Sequence, residues 1–398
     1  MARFLLISLG VKGHVNPIFA VAEHLIRDGH TVGWLSRHVG HVAVEPSSSS
    51  IEIPKVDWTW LPPGTRLDFT GAARDLDKYV VNNREWRLNC IAPLVPRVRE
   101  AIRSFDADLL VIDGQVYPGV IAANLEGRPF AGIVTSPAFL APDYECDLTR
   151  ALGMLHCERA EIFRGYGVEP CFAAWDYLSP LANFVLALPE FIGAEAVAAL
   201  PRPVELVGPS ISFERADDPA DFPWHRLAPH KPLVYASFGT VWYAQPDLFR
   251  MVAQAADMLG LQVVAVVGAL MDTRLVEELP ASTVAVRYAP QLRLLERAAV
   301  CVTHGGANTV AEALHFGVPQ LAIPLCTDQP VNGHFVARSG AGISILPRDL
   351  TIERCREALA GLVASDSPYR ATAERLRAAA GRRNGAAVTA ERIAGLLR

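Results

Sequence analysis

Two apolar patterns alternate along the chain. Short unbroken apolar runs are followed by longer stretches whose apolar residues recur with helical spacing. Phe4 to Leu9 is the first such run, and Ile18, Val21, Ala22 and Leu25 then mark one face of a helix. Thr31 to Ser36, Leu109 to Ile112 (closed by Asp113) and Pro129 to Val134 predict further strands. The rhythm restarts after residue 230 with runs at Leu233–Ser237, Leu261–Val267, Thr283–Arg287, Val300–Thr303 and Pro319–Ile323. Fully apolar strands alternating with amphipathic helices imply parallel sheets covered by helices on both faces.

The restart divides the chain. Residues 1–212 form the first domain, the polar, proline-containing stretch 213–232 a linker, and 233–385 a second domain, followed by a C-terminal helix at 386–398. The arginine-rich segment from Ala371 to Arg398 predicts one or two amphipathic helices with solvated faces. Two doubly wound domains of this kind hold ligands at the carboxyl ends of their strands, so the fold expected is α/β, with two Rossmann-like domains facing a central cleft.

Composition narrows the function. With 398 residues, 51% hydrophobic and 20% charged, the chain has the make-up of a packed protein rather than a disordered one. A net charge of -5 excludes the basic surface that nucleic-acid binding needs. The seven cysteines form no Cys-x-x-Cys pair and mostly lie in apolar runs, which predicts buried, reduced thiols in a reducing compartment. Phe4–Leu9 is too short for a signal-peptide core, and no stretch reaches the ~20 apolar residues of a membrane span. A soluble cytoplasmic protein is expected; peripheral contact with a membrane remains compatible with this.

Chemistry concentrates in Thr303-His-Gly-Gly-Ala-Asn-Thr-Val-Ala-Glu312. A strand ends, a glycine pair follows and a helix begins near Ala307. Backbone N–H groups and a positive helix terminus at a strand tip make an anion site. Gly305 and Gly306 allow close backbone approach, while His304, Asn308 and Thr309 add donors. The Glu312 carboxylate, one turn further on, suits ribose hydroxyls. A ribose offers it a 2′- and a 3′-hydroxyl and a deoxyribose only one, which tilts the expected ligand toward a ribonucleotide.

This segment resembles the donor signature of the inverting UDP-glycosyltransferases of GT-B fold. That signature runs from aromatic-x-Pro-Gln through His-x-Gly-x-Asn-Ser/Thr-x-x-Glu to Asp/Glu-Gln. Here it reads Tyr288-Ala-Pro-Gln291, His304 to Glu312, and Asp328-Gln329. The resemblance implies that Tyr288 stacks on uracil and that Gln291 lies by base and ribose. It gives the diphosphate to His304, Gly306, Asn308 and Thr309, the ribose to Glu312, and the sugar hydroxyls to Asp328 and Gln329. Ala236-Ser-Phe-Gly-Thr240 is similar to the family's diphosphate loop, which adds Ser237 and Thr240. Plant members carry Trp at the positions of Tyr288, Ala307 and Cys326; those departures point to the bacterial branch. The architecture matches along nearly the whole chain, the specific motifs only where quoted.

In the first half, Gly13-His14-Val-Asn-Pro17 falls between the first strand and first helix, with Asn16 placed to cap the helix and Pro17 in its first turn. In the doubly wound order 3-2-1-4 the first and fourth strands are neighbours, so His14 and Asp113 project from adjacent strand tips. Sugar transfer by direct displacement needs a base for the acceptor hydroxyl. An imidazole oriented by a carboxylate suits it. The pair resembles the family's His–Asp dyad.

No cofactor is expected, the UDP-sugar being a co-substrate, and no metal. The pairs Asp75-Leu-Asp77 and Asp106-Ala-Asp108 do not follow strand tips, and no His/Cys cluster has metal-ligand spacing. Aromatic residues between Trp58 and Tyr177 suit an apolar, hydroxyl-bearing acceptor, though core packing claims more than half of them. Two rivals remain: a nucleotide-sugar epimerase, which acts on the donor alone, and a non-catalytic sugar-nucleotide-binding helper. A dinucleotide-type Gly-x-Gly-x-x-Gly is absent.

Overall fold

A computed structural model describes residues 1–38, 55–57, 75–141, 143–213, 215, 218–239 and 245–398. The chain divides into two compact units, Met1–Glu214 with Arg383–Arg398, and Arg215–Arg382.

Unit 1 is built on a parallel sheet. Its strands are β1 (Arg3–Gly10), β2 (Thr31–His38), β3 (Lys55–Asp57), β4 (Leu109–Asp113), β5 (Phe130–Val134), β8 (Asn183–Val185) and β9 (Val204–Leu206); β6 (Phe172–Ala173) and β7 (Asp176–Tyr177) form a small antiparallel pair beside them. The order β3-β2-β1-β4-β5-β8-β9 makes β1 and β4 neighbours, as expected from the sequence. Both are buried on both faces, which explains their unbroken apolar runs.

Unit 2 repeats the plan. Its strands β10 (Leu233–Ser237), β11 (Gln262–Val266), β12 (Thr283–Val286), β13 (Ala298–Thr303), β14 (Gln320–Ala322) and β15 (Gly342–Ser344) are parallel, in the order β12-β11-β10-β13-β14-β15. The predicted runs became strands with shifts of a residue or two. The strands missed from sequence (β3, β6, β7, β8, β9 and β15) are each two or three residues long, too short for a pattern to show.

The boundaries follow side-chain packing. The stretch expected as a linker is largely part of unit 2: Phe222 belongs to a core cluster with Leu233, Tyr235 and Val264, and Trp224 and Leu227 pack against it. The last helix, Gly385–Gly395, returns to unit 1. Its Ala386, Ala390 and Ile393 share a core cluster with Ile18, Val21 and Leu25 of the helix Lys12–Arg27. Gly385 is needed at that return, because a Cβ there would lie 2.3 Å from the Gly208 carbonyl oxygen. The helices Pro368–Gly381 and Gly385–Gly395 fulfil the prediction for the C-terminal segment.

Among the described residues no helix is long and apolar enough to cross a membrane. All seven cysteines are unpaired. Four are buried, but Cys157 and Cys171 are exposed, against the expectation of buried thiols. Cys157 lies on a solvent-facing position of the amphipathic helix Asp147–Gly165, which an apolar-run argument does not see.

Candidate active site

His14 occupies the first turn of the helix Lys12–Arg27 rather than a turn ahead of it. Val11 is the N-cap, without a side-chain bond, so Asn16 does not cap and Pro17 lies inside the helix. Proline's fixed φ suits a helix, and its missing N–H deprives only the Gly13 carbonyl of a partner. This early start leaves His14 beside the tip of β4. Its Nδ1 lies 2.7 Å from Asp113 Oδ2, with the His14 side chain 17% exposed and that of Asp113 fully buried.

Asp113 is held from three sides. Its Oδ2 also accepts from the Leu9 N–H at 3.4 Å, and its Oδ1 accepts from the Gln115 N–H at 3.1 Å. A carboxylate so placed accepts a proton-bearing Nδ1 and leaves Nε2 with its lone pair, the form of a general base. Thr135 Oγ1, just past the end of β5, stands 3.1 Å from the same Nδ1. Sequence reading passed over it; a hydroxyl immediately after a predicted strand adjoining β4 was the available signal.

Behind Asp113 lies a second acid that the sequence did not single out. Asp176 on β7 is buried, and its Cβ would lie 2.9 Å from a Cβ placed on Gly114. Its Oδ1 has no hydrogen-bond partner among the described residues. Burial, and then the Asp113 charge, push its carboxyl up to about 8, against the opposing pull of His14, Arg87 and Gln115. Arg87 itself is stacked between the rings of Trp86 and Trp175 and donates to Gln115 Oε1 at 3.0 Å. Among the acceptor-side aromatics, Tyr79, Tyr117, Trp175 and Tyr177 are buried, and the last three are close-packed with their neighbours, as core residues are. Trp58, Trp60 and Phe69 lie outside the described residues.

The Asp-x-Asp pairs have structural uses. Asp75 caps the helix Leu76–Asn83, Asp106 pairs with Arg128, and Asp108 accepts from the Arg3 N–H. Among the described residues no group of three His, Cys, Asp or Glu side chains is arranged for a metal ion.

In unit 2 the donor motif gathers at the tips of β10 and β13. The helix Ala307–Phe316 starts after Gly306, so its first N–H groups, including those of Asn308 and Thr309, lack intrahelical partners. His304 is buried, and Cβ atoms on Gly239 and Gly306 would stand 2.7 and 2.6 Å from its Nε2. Two bare glycine backbones therefore bracket the ring. Burial lowers its pKa to about 4 despite the opposing influence of Asp328 and Ser237, and its Nδ1 has no partner among the described residues. Gly305, at φ 81°, has room for no side chain, since a Cβ would lie 2.9 Å from the Gln329 carbonyl oxygen.

The remaining motif residues separate by accessibility. Tyr288 is 57% exposed. Asp328 Oδ2 accepts from Asn332, whose Nδ2 also donates to the Gly305 carbonyl, tying the two loops together. Gln329, which the resemblance assigned to sugar hydroxyls, is buried instead. Its Oε1 accepts the Leu325 and Cys326 N–H groups and closes that turn. Ser237 lies at the end of β10, where its Oγ accepts from the Gly239 N–H at 3.4 Å. Thr240 lies outside the described residues.

Glu312 is already engaged. Its Oε2 accepts from Gln291 Nε2 at 2.5 Å and its Oε1 from Arg215 at 2.6 Å, while the Tyr235 hydroxyl donates to Gln291 Oε1 at 2.7 Å. Arg215 fell inside the stretch read as linker, and nothing local to it signalled a partner 97 residues away.

Comparison with known proteins agrees with this layout. Residues 250–394 match the family model described as erythromycin biosynthesis protein CIII-like, C-terminal domain. The demethyllactenocin mycarosyltransferase of Streptomyces fradiae is 25% identical over 416 residues, covering 100% of this chain and 87% of the relative. The NDP-glycosyltransferase YjiC of Bacillus subtilis (strain 168) is 24% identical over 368 residues, covering 89% of this chain and 87% of the relative. The crystal structure of the glycotransferase of kitacinnamycin superposes with a TM-score of 0.76 at 23% identity, covering 100% of this chain and 99% of the other.

Proposed function

We infer that this chain is a GT-B glycosyltransferase of the natural-product and small-molecule kind, and that it moves a hexose, glucose being the first to try, from a UDP-sugar to a hydroxyl of an apolar small molecule or lipid-like acceptor. The observation that carries this reading is the 2.7 Å contact between His14 Nδ1 and the buried Asp113, which leaves Nε2 as base. In the reaction His14 Nε2 takes the acceptor's hydroxyl proton. The acceptor oxygen forms a bond to the anomeric carbon as the bond from that carbon to the diphosphate oxygen breaks. A single displacement inverts the anomeric configuration, and Asp113 stabilises the imidazolium. UDP leaves with the electron pair, and the N–H groups of the first turn of the helix Ala307–Phe316, which have no intrahelical acceptor, receive its charge. Tyr288 and Gln291 take base and ribose, Asp328 meets the sugar, and Gln329 positions the turn that presents Asp328.

The test is UDP release from UDP-glucose, with and without a panel of aromatic and lipid alcohols, in buffer containing EDTA. Acceptor-dependent release at an undiminished rate is expected, since a helix terminus supplies the charge stabilisation. Acceptor-independent turnover of the donor would indicate an epimerase, binding without turnover a helper, and rescue by magnesium or manganese a metal-dependent site.

Glu312→Ala is expected to raise the donor KM with a smaller effect on the acceptor KM. It removes a ribose acceptor and strands the Arg215 guanidinium, a loss of about 1–3 kcal/mol. Initial rates at varied UDP-sugar and at varied acceptor decide it; an acceptor KM that moves as far as the donor KM refutes the assignment.

A further inference from the structure

The pair between Arg215 and Glu312 bears on which nucleotides enter the donor site, an inference that rests on the donor reading above. The Arg215 side chain is 11% exposed and that of Glu312 4%, so their 2.6 Å contact is sheltered from water. The second carboxylate oxygen is held by Gln291, whose orientation is fixed by the Tyr235 hydroxyl and supported by Thr309 Oγ1 at 3.4 Å from its Nε2. Burial holds the Tyr235 phenol well above its ordinary range, so it remains a donor. Both oxygens of the carboxylate thus carry a charged or fixed donor before any nucleotide arrives.

A ribose presents two neighbouring hydroxyls, and a full bidentate grip needs a clear lone pair on each carboxylate oxygen. One hydroxyl can use a remaining lone pair; the 3′-hydroxyl, common to ribose and deoxyribose, serves for that. Each carboxylate oxygen keeps a second lone pair, but with the Glu312 side chain only 4% exposed the 2′-hydroxyl reaches the one on Oε1 only by displacing Arg215. That exchanges a buried charge-assisted bond for a neutral one and strands a cation. The added hydroxyl therefore gains little. We propose that Arg215 is a specificity-determining residue: by occupying Glu312 it suppresses recognition of the nucleoside 2′-hydroxyl, so that ribo- and deoxyribonucleoside diphosphates bind on near-equal terms. UDP- and dTDP-sugars then both serve as donors, against the tilt toward UDP expected from Glu312 alone.

The measurement is calorimetric titration of the full-length chain with UDP and with 2′-deoxy-UDP, two probes that differ only in that hydroxyl. The wild type is expected to bind them with Kd values within about threefold of each other. Arg215→Met opens Oε1 to the ribose, and the preference for UDP should rise to roughly tenfold or more, the worth of one well-made hydrogen bond to a buried charge. Arg215→Lys, which keeps the charge without the planar fork, is the second variant should the first not fold; its preference should move the same way by a smaller factor. A wild type that favours UDP tenfold overturns the proposal, as does an unchanged ratio in the folded variants. Binding of neither nucleotide to folded wild type overturns the donor-site reading itself and the role of Arg215 with it.

Discussion

His14→Ala is expected to lower kcat by roughly 10²- to 10⁴-fold, the contribution of a positioned general base, while UDP-sugar affinity stays near the wild-type value. The two expectations come from different parts of the chain. His14 belongs to unit 1, whereas Tyr288, His304, Asn308 and Glu312 belong to unit 2. Asp113 keeps its bonds from the Leu9 and Gln115 N–H groups in the variant, so the strand tip retains its form. Asp113→Asn should cost less, because the base itself remains and only its orientation and the stabilisation of the imidazolium suffer. Transfer rate and donor affinity measured on the same preparation decide the matter. A variant that transfers sugar at close to wild-type rate reduces His14 to a helix-starting residue. One that no longer binds donor assigns it to structure.

Asp176→Asn is expected to stabilise the protein at alkaline pH. The sign follows from linkage. In the folded chain the Asp176 carboxyl is pushed up to about 8 from an ordinary 3.8, by burial first and by Asp113 second. Between those values the folded state holds a proton that the unfolded state has released. Stability from this group is therefore fully present below the unfolded value, falls as pH rises through the window and levels off above about 8. Asparagine occupies the same volume and never ionises, so it removes the slope. The unfolding midpoint of the variant, relative to wild type, should grow between pH 5 and pH 8.5 by an amount on the order of 5 °C. A difference constant across that range would mean that Asp176 is already ionised in the native state at pH 5.

Most of the framework was legible in the sequence because parallel strands buried on both faces leave unbroken apolar runs, and the runs from Phe4 to Leu9 and from Leu233 to Ser237 found their strands within a residue. The donor motif was legible because its residues are consecutive around one strand–helix junction, where local backbone geometry sets their chemistry. The pairing of His14 with Asp113 followed from strand order alone, since adjacent strands bring residues 99 positions apart to neighbouring tips.

What the sequence left open were partnerships made between elements. The start of the helix at Lys12 rather than after Asn16 and the inward turn of Gln329 depend on space that no local pattern records. So do the burial of Asp176 behind Gly114 and the reach of Arg215 to Glu312. Gln329, Asp176 and the Arg215–Glu312 pair are polar side chains removed from water, whose partners are set by whichever distant groups share their low-dielectric surroundings. Sequence therefore determined which chemical groups this protein brings to its candidate site. Tertiary structure decided which of them remain free to use, because burial selects the partners of a charge and periodicity does not.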